Sequence, residues 1–226
     1  MKIKDRRYFI VFALILLFFC QGLFLIQDTS PTTDEVAFHL VNGYVFLKTH
    51  DYRMSPANPP LIREWMALPW LVINPKLDLN KEAWRQADSV PFSLDFFYKD
   101  NRSIADFLLY SSRFMILLLG MALAVLIFIW SKKLYGMWGG IVSLTLYTLC
   151  PSFLAHSTFA TIDVGSAFFF MLSAYLFYRY LEEGENRALF SLAFSMGLMF
   201  AAKTTTLFFG PIFLLLIFSE EVSSIF

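Results

Sequence analysis

The apolar positions of this chain fall into long uninterrupted blocks, not into short alternating runs. The first block, Tyr8 to Ile26, follows a basic start in "MKIKDRRYFIVFALILLFFCQGLFLI" and is long enough for a transmembrane helix, which needs ~20 residues. The following "QGLFLIQDTS" offers no small-x-small cleavage site, so the segment is expected to be an uncleaved span. Further blocks run from Phe107 to Trp130, Leu134 to Cys150, Phe159 to Tyr178, Ala188 to Ala202 and Thr206 to Phe218. The last two are short and separated by "KTTT", which predicts two short helices or one broken helix sheltered inside a bundle. Five or six spans result.

Residues 27–106, between the first and second spans, are far too many for an ordinary connection. Two stretches of this segment have helical periodicity. "DEVAFHLVNGYVFLK" (34–48) carries apolar residues at 37, 40, 41, 44, 45 and 47, and "PPLIREWMALPWLVI" (59–73) is opened by a proline pair. Both are too short to span, and their Tyr and Trp suit a position at the membrane interface. Residues 74–103 read as a polar linker with a helical turn or two around "NKEAWRQA". The expected architecture is an all-α integral membrane protein forming a single membrane domain over 1–226. It comprises a first span (8–26), a large extracytoplasmic loop with interfacial helices (27–106) and the remaining spans (107–218).

Composition agrees, since 58% of residues are hydrophobic and the 27 Phe outnumber the 18 Lys and Arg together. The formal net charge is zero and the basic residues are scattered, which argues against nucleic acid as a partner. Cys20 and Cys150 both fall in apolar blocks, where a thiol acts as a small hydrophobe. Lys2, Lys4, Arg6 and Arg7 place the N-terminus in the cytoplasm by the positive-inside rule. Alternation then puts the basic loops "SKKLYG" and "RYLEEGENR" on the same side, and "PSFLAHSTFAT", which lacks Lys and Arg, on the outer one.

Candidate chemistry lies on that outer side. Asp34 and Glu35 stand just beyond the first span, where acidic residues would also suit the first turn of a helix capped by Thr32 or Thr33. Asp163 falls at the outer end of the fourth span, where an ionisable group is costly enough to imply a partner, a polar cavity or a place at headgroup level. Arg113 opens the second span and Lys203 ends the fifth; each has the option of snorkelling to the headgroups. Together these charges outline a pocket suited to an anionic, phosphate-bearing ligand with an apolar tail. Asn58, the Pro59-Pro60 pair and Arg63 border the second interfacial helix. His39, His50 and His156 are too dispersed for metal-ligand spacing. A divalent metal is left open, with no clear ligand set. Phosphate loops and nucleophile elbows are absent, so nucleotide-dependent chemistry is unsupported. Asn101-Arg102-Ser103 is formally a glycosylation acceptor.

The order of these elements resembles the N-terminal half of the polyprenyl-phosphate-dependent glycosyltransferases of the GT-C fold. It is similar in particular to bacterial relatives of the protein O-mannosyltransferases and the lipid A aminoarabinose transferases. The resemblance rests on "TTDEVAFHLVNGYVFLKTHDYRMSPANPPLIREWMALPWL", "SRFMILLLG", "PSFLAHSTFATIDVGSAFFF" and "GLMFAAKTTTLFFGP", and it runs from about residue 5 to 215. It implies a GT-C-like bundle and inverting transfer of a sugar from a polyprenyl-phosphate donor to an extracytoplasmic acceptor: a protein hydroxyl, lipid A or another envelope glycan. Asp34 would be the general base with Glu35 beside it, and Asp163 would orient the acceptor or shape the pocket field. Arg113 and Lys203, with Asn58 and Arg63, would hold the lipid phosphate. Asn58 stands where the family usually has a histidine. The site would face outward from the bacterial inner membrane, among membrane lipids. Because the family's chains are considerably longer, this one is expected to be an N-terminal portion, with a C-terminal half on another chain as one option. The competing expectations are a lipid-carrier-binding or transporter-like protein without catalysis, and an inactive fragment of such an enzyme.

Overall fold

The computed structural model of the chain describes residues 3–183 and 186–218. The terminal "SEEVSSIF" (219–226) lies outside the described residues, as do residues 1–2 and 184–185. Every regular element among the described residues is helical. The principal helices are α1 (Ile3–Asp28), α2 (Val41–Thr49), α3 (Leu61–Ile73), α4 (Glu82–Arg85), α5 (Ser89–Asp95) and α6 (Ala105–Leu149). They are followed by α7 (Pro151–His156), α8 (Asp163–Glu183), α9 (Asn186–Ala202) and α10 (Phe209–Phe218). π-helical segments at Asp34–Leu40 and Phe96–Asp100 lead out of or into these, and 3-10 turns sit at Arg102–Ile104 and Thr204–Phe208.

Three helices, Arg6–Asp28, Arg102–Leu149 and Asp163–Glu182, are long and apolar enough to cross a membrane. The protein is an all-α integral membrane protein. The expected five or six spans resolve into these three, one of them doubled back, and two shorter apolar helices, Arg187–Ala202 and Thr204–Phe213. The doubling occurs at Gly136, whose φ of 72° and ψ of −175° break the helix. A continuous helix would separate Ser131 from Ser143 by roughly 18 Å at ~1.5 Å per residue. Their hydroxyl oxygens are instead 2.7 Å apart, and the Tyr147 hydroxyl donates to the Gly120 carbonyl at 3.0 Å. Residues 105–135 and 137–149 are therefore the two limbs of a hairpin. The second limb rises only about 20 Å, short of the ~30 Å hydrocarbon core.

The limbs pack on α1 and α8, and α8 packs on α9, where the buried Ser173 and Ser195 hydroxyls meet at 3.0 Å. Interhelical hydroxyl pairs of this kind suit an environment without water. The basic loops gather at one end of the bundle: Lys133 pairs with Glu182, and Lys132 donates to the Tyr8 hydroxyl at 3.1 Å. Glu35, Arg113, Asp163 and Lys203 gather at the other.

At that second end the first long loop folds into a packed cap. α2 and α3 approach so closely that a Cβ on Gly43 would lie 2.2 Å from the Arg63 carbonyl oxygen. Trp70 is fully buried, stacks on Phe96 at 5.7 Å and donates its indole N–H to Leu108 O of α6 at 3.1 Å. Trp65 makes the equivalent bond to Met115 O at 2.8 Å. The other side of α3 leaves Leu68, Leu71 and Val72 exposed, an apolar stripe suited to an interfacial helix. Residues 74–103 are not the expected polar linker. Besides α4 they form α5 and a π-helical turn, and Trp84, Phe92, Phe96 and Phe97 are buried in the cap core. The spacings of eight and four residues from Trp84 to Phe92 to Phe96 are helical, but polar neighbours dilute them. Asn101 is no glycosylation acceptor either. It is buried, its amide donates to Lys76 O and Phe96 O at 2.9 and 3.0 Å, and its oxygen accepts from Lys76 N at 2.8 Å.

The hairpin yields a direct expectation. Cysteines replacing Ser131 and Ser143 should form a disulfide on mild oxidation, read as a mobility shift that reductant reverses. A continuous helix would leave both thiols free.

Candidate functional site

The site is assembled around a carboxylate that sequence alone assigns to chemistry. Glu35 is fully buried. Its Oε1 accepts from Arg113 Nε at 2.7 Å and from the Ala160 backbone N–H at 2.7 Å. Its Oε2 accepts from Arg113 Nη2 at 2.8 Å, Thr32 N at 2.8 Å and the Thr32 hydroxyl at 3.0 Å. The Thr32–Glu35 bonds close the first helical turn as a capping box does. Arg113 is equally saturated. Its Nη1 donates to Ile26 O, Thr29 O and Thr29 Oγ1 at 3.0, 2.8 and 2.9 Å, and its Nη2 to Ser30 O at 2.9 Å. All five guanidinium N–H groups are committed to protein acceptors, so none faces a ligand. The structure thus places Glu35 and Arg113 against each other as a clamp joining the end of α1, the Asp34–Leu40 turn, α6 and the segment before α8. Burial acts to raise the Glu35 carboxyl, and the bonds from Arg113, Ala160 and Thr32 outweigh it, holding the group below the ordinary glutamate value.

Asp34, next in the chain, has the opposite environment. It is exposed and makes no hydrogen bond or ion pair with a described residue. A carboxylate with free lone pairs at the end of a rigid anchor is able to accept a proton from an incoming group.

Asp163 is the first residue of α8, at the helix end that favours an anion. Its Oδ1 receives Lys203 Nζ at 2.6 Å, and its Oδ2 receives the Thr161 hydroxyl at 3.3 Å with His156 Nδ1 at 3.9 Å. Lys203 lies at the break between α9 and the 3-10 turn, in extended backbone with φ −155° and ψ 137°. That break is held open by the Thr206 hydroxyl on Lys203 O at 2.6 Å and by the Thr204 hydroxyl on Ala57 O at 2.8 Å. Unlike the clamp, this pair is only half-buried, with side chains 43% and 33% exposed. Asp163, with Lys203 bonded to it, borders a cavity of about 360 Å³ lined also by Leu123, Ser152, Phe153, His156, Val164 and Ala167. Phe153 also lines a larger apolar cavity of about 590 Å³ along the second limb of α6.

Asn58 and Arg63 hold the loop ahead of α3. Arg63 is buried, and its Nη2 donates to the carbonyls of Asn58 and of Ser55, the latter at 3.2 Å. Its Nε has no hydrogen-bond partner among the described residues. His39, buried one turn from Glu35, was no site candidate in the sequence. Burial and the nearby Arg63 charge push it down to about 4, against the opposing fields of Asp34, Asp163 and Glu35. It is neutral at physiological pH. Among the described residues no group of three or more His, Cys, Asp or Glu side chains is placed to hold a metal ion. The Asn58 backbone carbonyl accepts from Arg63.

Fold and site together define a membrane-embedded helical bundle with buried and accessible charges gathered at one end, Asp163 among them lining a cavity. Residues 89–226 match the family described as dolichyl-phosphate-mannose-protein mannosyltransferase. That is more than half of the 226 residues, and the chain belongs to this glycosyltransferase family. The matched range contains Arg113, Asp163 and Lys203 but not Asp34, Glu35, Asn58 or Arg63. No curated protein and no solved structure shows significant similarity to the chain.

Removing one member of the clamp leaves a buried charge unpaired. Glu35→Gln should destabilise the folded protein by about 3–5 kcal/mol, measured by thermal unfolding in detergent. Arg113→Lys should not preserve stability, because an ammonium cannot replace a five-donor fork. His39 sets a second expectation. The unfolded chain takes up its proton near pH 6.5 and the folded one only near about 4. Stability should therefore fall as pH drops across that window, by up to roughly 3 kcal/mol. His39→Gln should flatten the acid limb in a pH series of melting curves; an unchanged slope would refute the assignment.

Proposed function

We propose that the chain transfers a sugar from a polyprenyl-phosphate-linked donor to a hydroxyl or amine acceptor on the extracytoplasmic side of a bacterial inner membrane, with inversion at the anomeric carbon. The observation that carries this reading is the contrast at one end of the bundle. Asp34 is an exposed carboxylate with no hydrogen bond or ion pair to a described residue, and Asp163 of the accessible Asp163–Lys203 pair lines a cavity. The family match supports the reaction class.

In this reading the acceptor's proton passes to Asp34 as the acceptor atom bonds to the anomeric carbon. The bond from that carbon to the phosphate oxygen breaks on the opposite face, and its electrons leave with the lipid phosphate. The leaving group gains one negative charge, and a positioned cation stabilises it as it forms. Lys203 fills that role. It is half-exposed, and Asp163 holds it in place while sharing one of its three donors. Arg113 has no donor left for the phosphate, so its part and that of Glu35 is to fix Asp34. Asn58 and Arg63 likewise shape the loop. The 360 Å³ cavity accepts the first part of the carrier tail, with Phe153 continuing its path. The orientation follows from the basic N-terminus and basic loops collecting at the opposite end.

Asp34→Asn should retain the folded protein and donor binding while product formation falls by about 10²–10⁴-fold, the usual range for losing a general base. The assay is sugar transfer in membranes supplied with the lipid-linked donor. Full turnover in that variant would sink the proposal, and donor binding without product in the unaltered protein would favour a non-catalytic carrier-binding role.

A further inference from the structure

At the end of the bundle opposite Asp34 and Asp163, α1 and the α6 hairpin enclose a second polar cleft of about 480 Å³, lined by Arg7, Tyr8, Lys132 and Met137. We propose that this cleft binds the phosphate of an anionic phospholipid headgroup through Arg7 and Lys132. The site is separate from sugar transfer and does not depend on that reading.

Two cations border one cavity, and among the described residues no carboxylate is paired with either. Lys133, the neighbour of Lys132, is paired with Glu182, which also accepts from Tyr178. Arg7 has only the Trp138 ring beneath it, at 6.0 Å. Among the described residues none of its five N–H donors meets an acceptor. Lys132 gives one donor to the Tyr8 hydroxyl at 3.1 Å and lies 5.3 and 5.9 Å from the centres of the Tyr8 and Phe128 rings. Its other two donors meet no acceptor among the described residues. Such cations are held in place by aromatic faces that cannot neutralise them, which leaves their charge for an anion.

The surroundings favour a lipid as the source of that anion. Trp138 and Tyr8 are 61% and 47% exposed at the rim, as aromatic side chains at headgroup level are. Phe12, one turn along α1 from Tyr8, is 61% exposed and continues the cleft as an apolar track for acyl chains. A guanidinium and an ammonium at the headgroup level, above exposed apolar surface, match the general pattern of basic pockets that hold anionic lipid heads.

The test uses the full chain purified in a neutral detergent and native mass spectrometry with phosphatidylglycerol, phosphatidylcholine or inorganic phosphate as probe. The unaltered protein should retain phosphatidylglycerol in preference to phosphatidylcholine. Arg7→Gln combined with Lys132→Gln should weaken retention by roughly thirtyfold, at ~1 kcal/mol per removed cation. Arg6→Gln, at an exposed residue outside the cleft, should change nothing. The charge-keeping pair Arg7→Lys and Lys132→Arg should keep the preference, which separates lost charge from lost folding. Unchanged phosphatidylglycerol retention in the double glutamine variant, or equal retention of phosphatidylcholine, would overturn the proposal. Displacement of the lipid by inorganic phosphate at the same concentration would overturn the lipid as ligand.

Discussion

The buried pair of Glu35 and Arg113 is the interaction on which the rest of this structure depends. Two charges taken out of water cost several kcal/mol each, and only near-complete hydrogen bonding offsets that. Here the offset is nearly total: both carboxylate oxygens and all five guanidinium N–H groups are engaged. The partners come from the end of α1, the Asp34–Leu40 turn, α6 and the segment before α8. A pair satisfied only when four distant segments are in register acts as a lock on their arrangement. Asp34 and Asp163 flank two of the clamped segments, so the lock sets both.

Satisfaction also divides the charged residues by role. Groups whose bonding capacity is used up within the protein, such as Glu35, Arg113 and Asn101, hold the chain. Groups with capacity to spare lie at accessible edges: Asp34 without a hydrogen bond or ion pair to a described residue, Asp163 lining a cavity and bonded to Lys203, and Arg7 and Lys132 against aromatic faces. The two ends of the bundle therefore differ in kind. One presents mixed charge beside an apolar cavity, and the other presents positive charge with aromatic support.

At the mixed-charge end the cap formed by residues 27–106 is bolted to α6 by two indole N–H groups, Trp65 and Trp70, each bonded to a backbone carbonyl of that helix. Those carbonyls take a second bond besides their helical one, and the rings bury large apolar area at the same point. The cap therefore moves with α6, which keeps the loop of Asn58 and Arg63 beside the 3-10 turn after Lys203, where Thr204 meets Ala57.

Sequence by itself determined what depends on local composition: long apolar blocks, the helices α1, α3, α8 and α9 to within a few residues, the clustering of basic loops at one end, and the family. It also singled out Asp34, Glu35, Arg113, Asp163 and Lys203 as candidates, Asp163 on the cost of an ionisable group at a span's end and the others for lying on the same side. Residues 74–103 were misjudged because their buried aromatics are interleaved with charge, and burial there comes from α2, α3 and α6, not from the segment's own pattern. The hairpin at Gly136 was foreshadowed by two apolar blocks, but the shortness of its second limb was not. Tertiary structure alone decided which charges meet. Adjacent acids at 34 and 35 look equivalent in the chain, yet helical geometry turns one inward to Arg113, 78 residues away, and leaves the other outside. No local pattern records that choice, because a buried ion pair is defined by the partner that satisfies it.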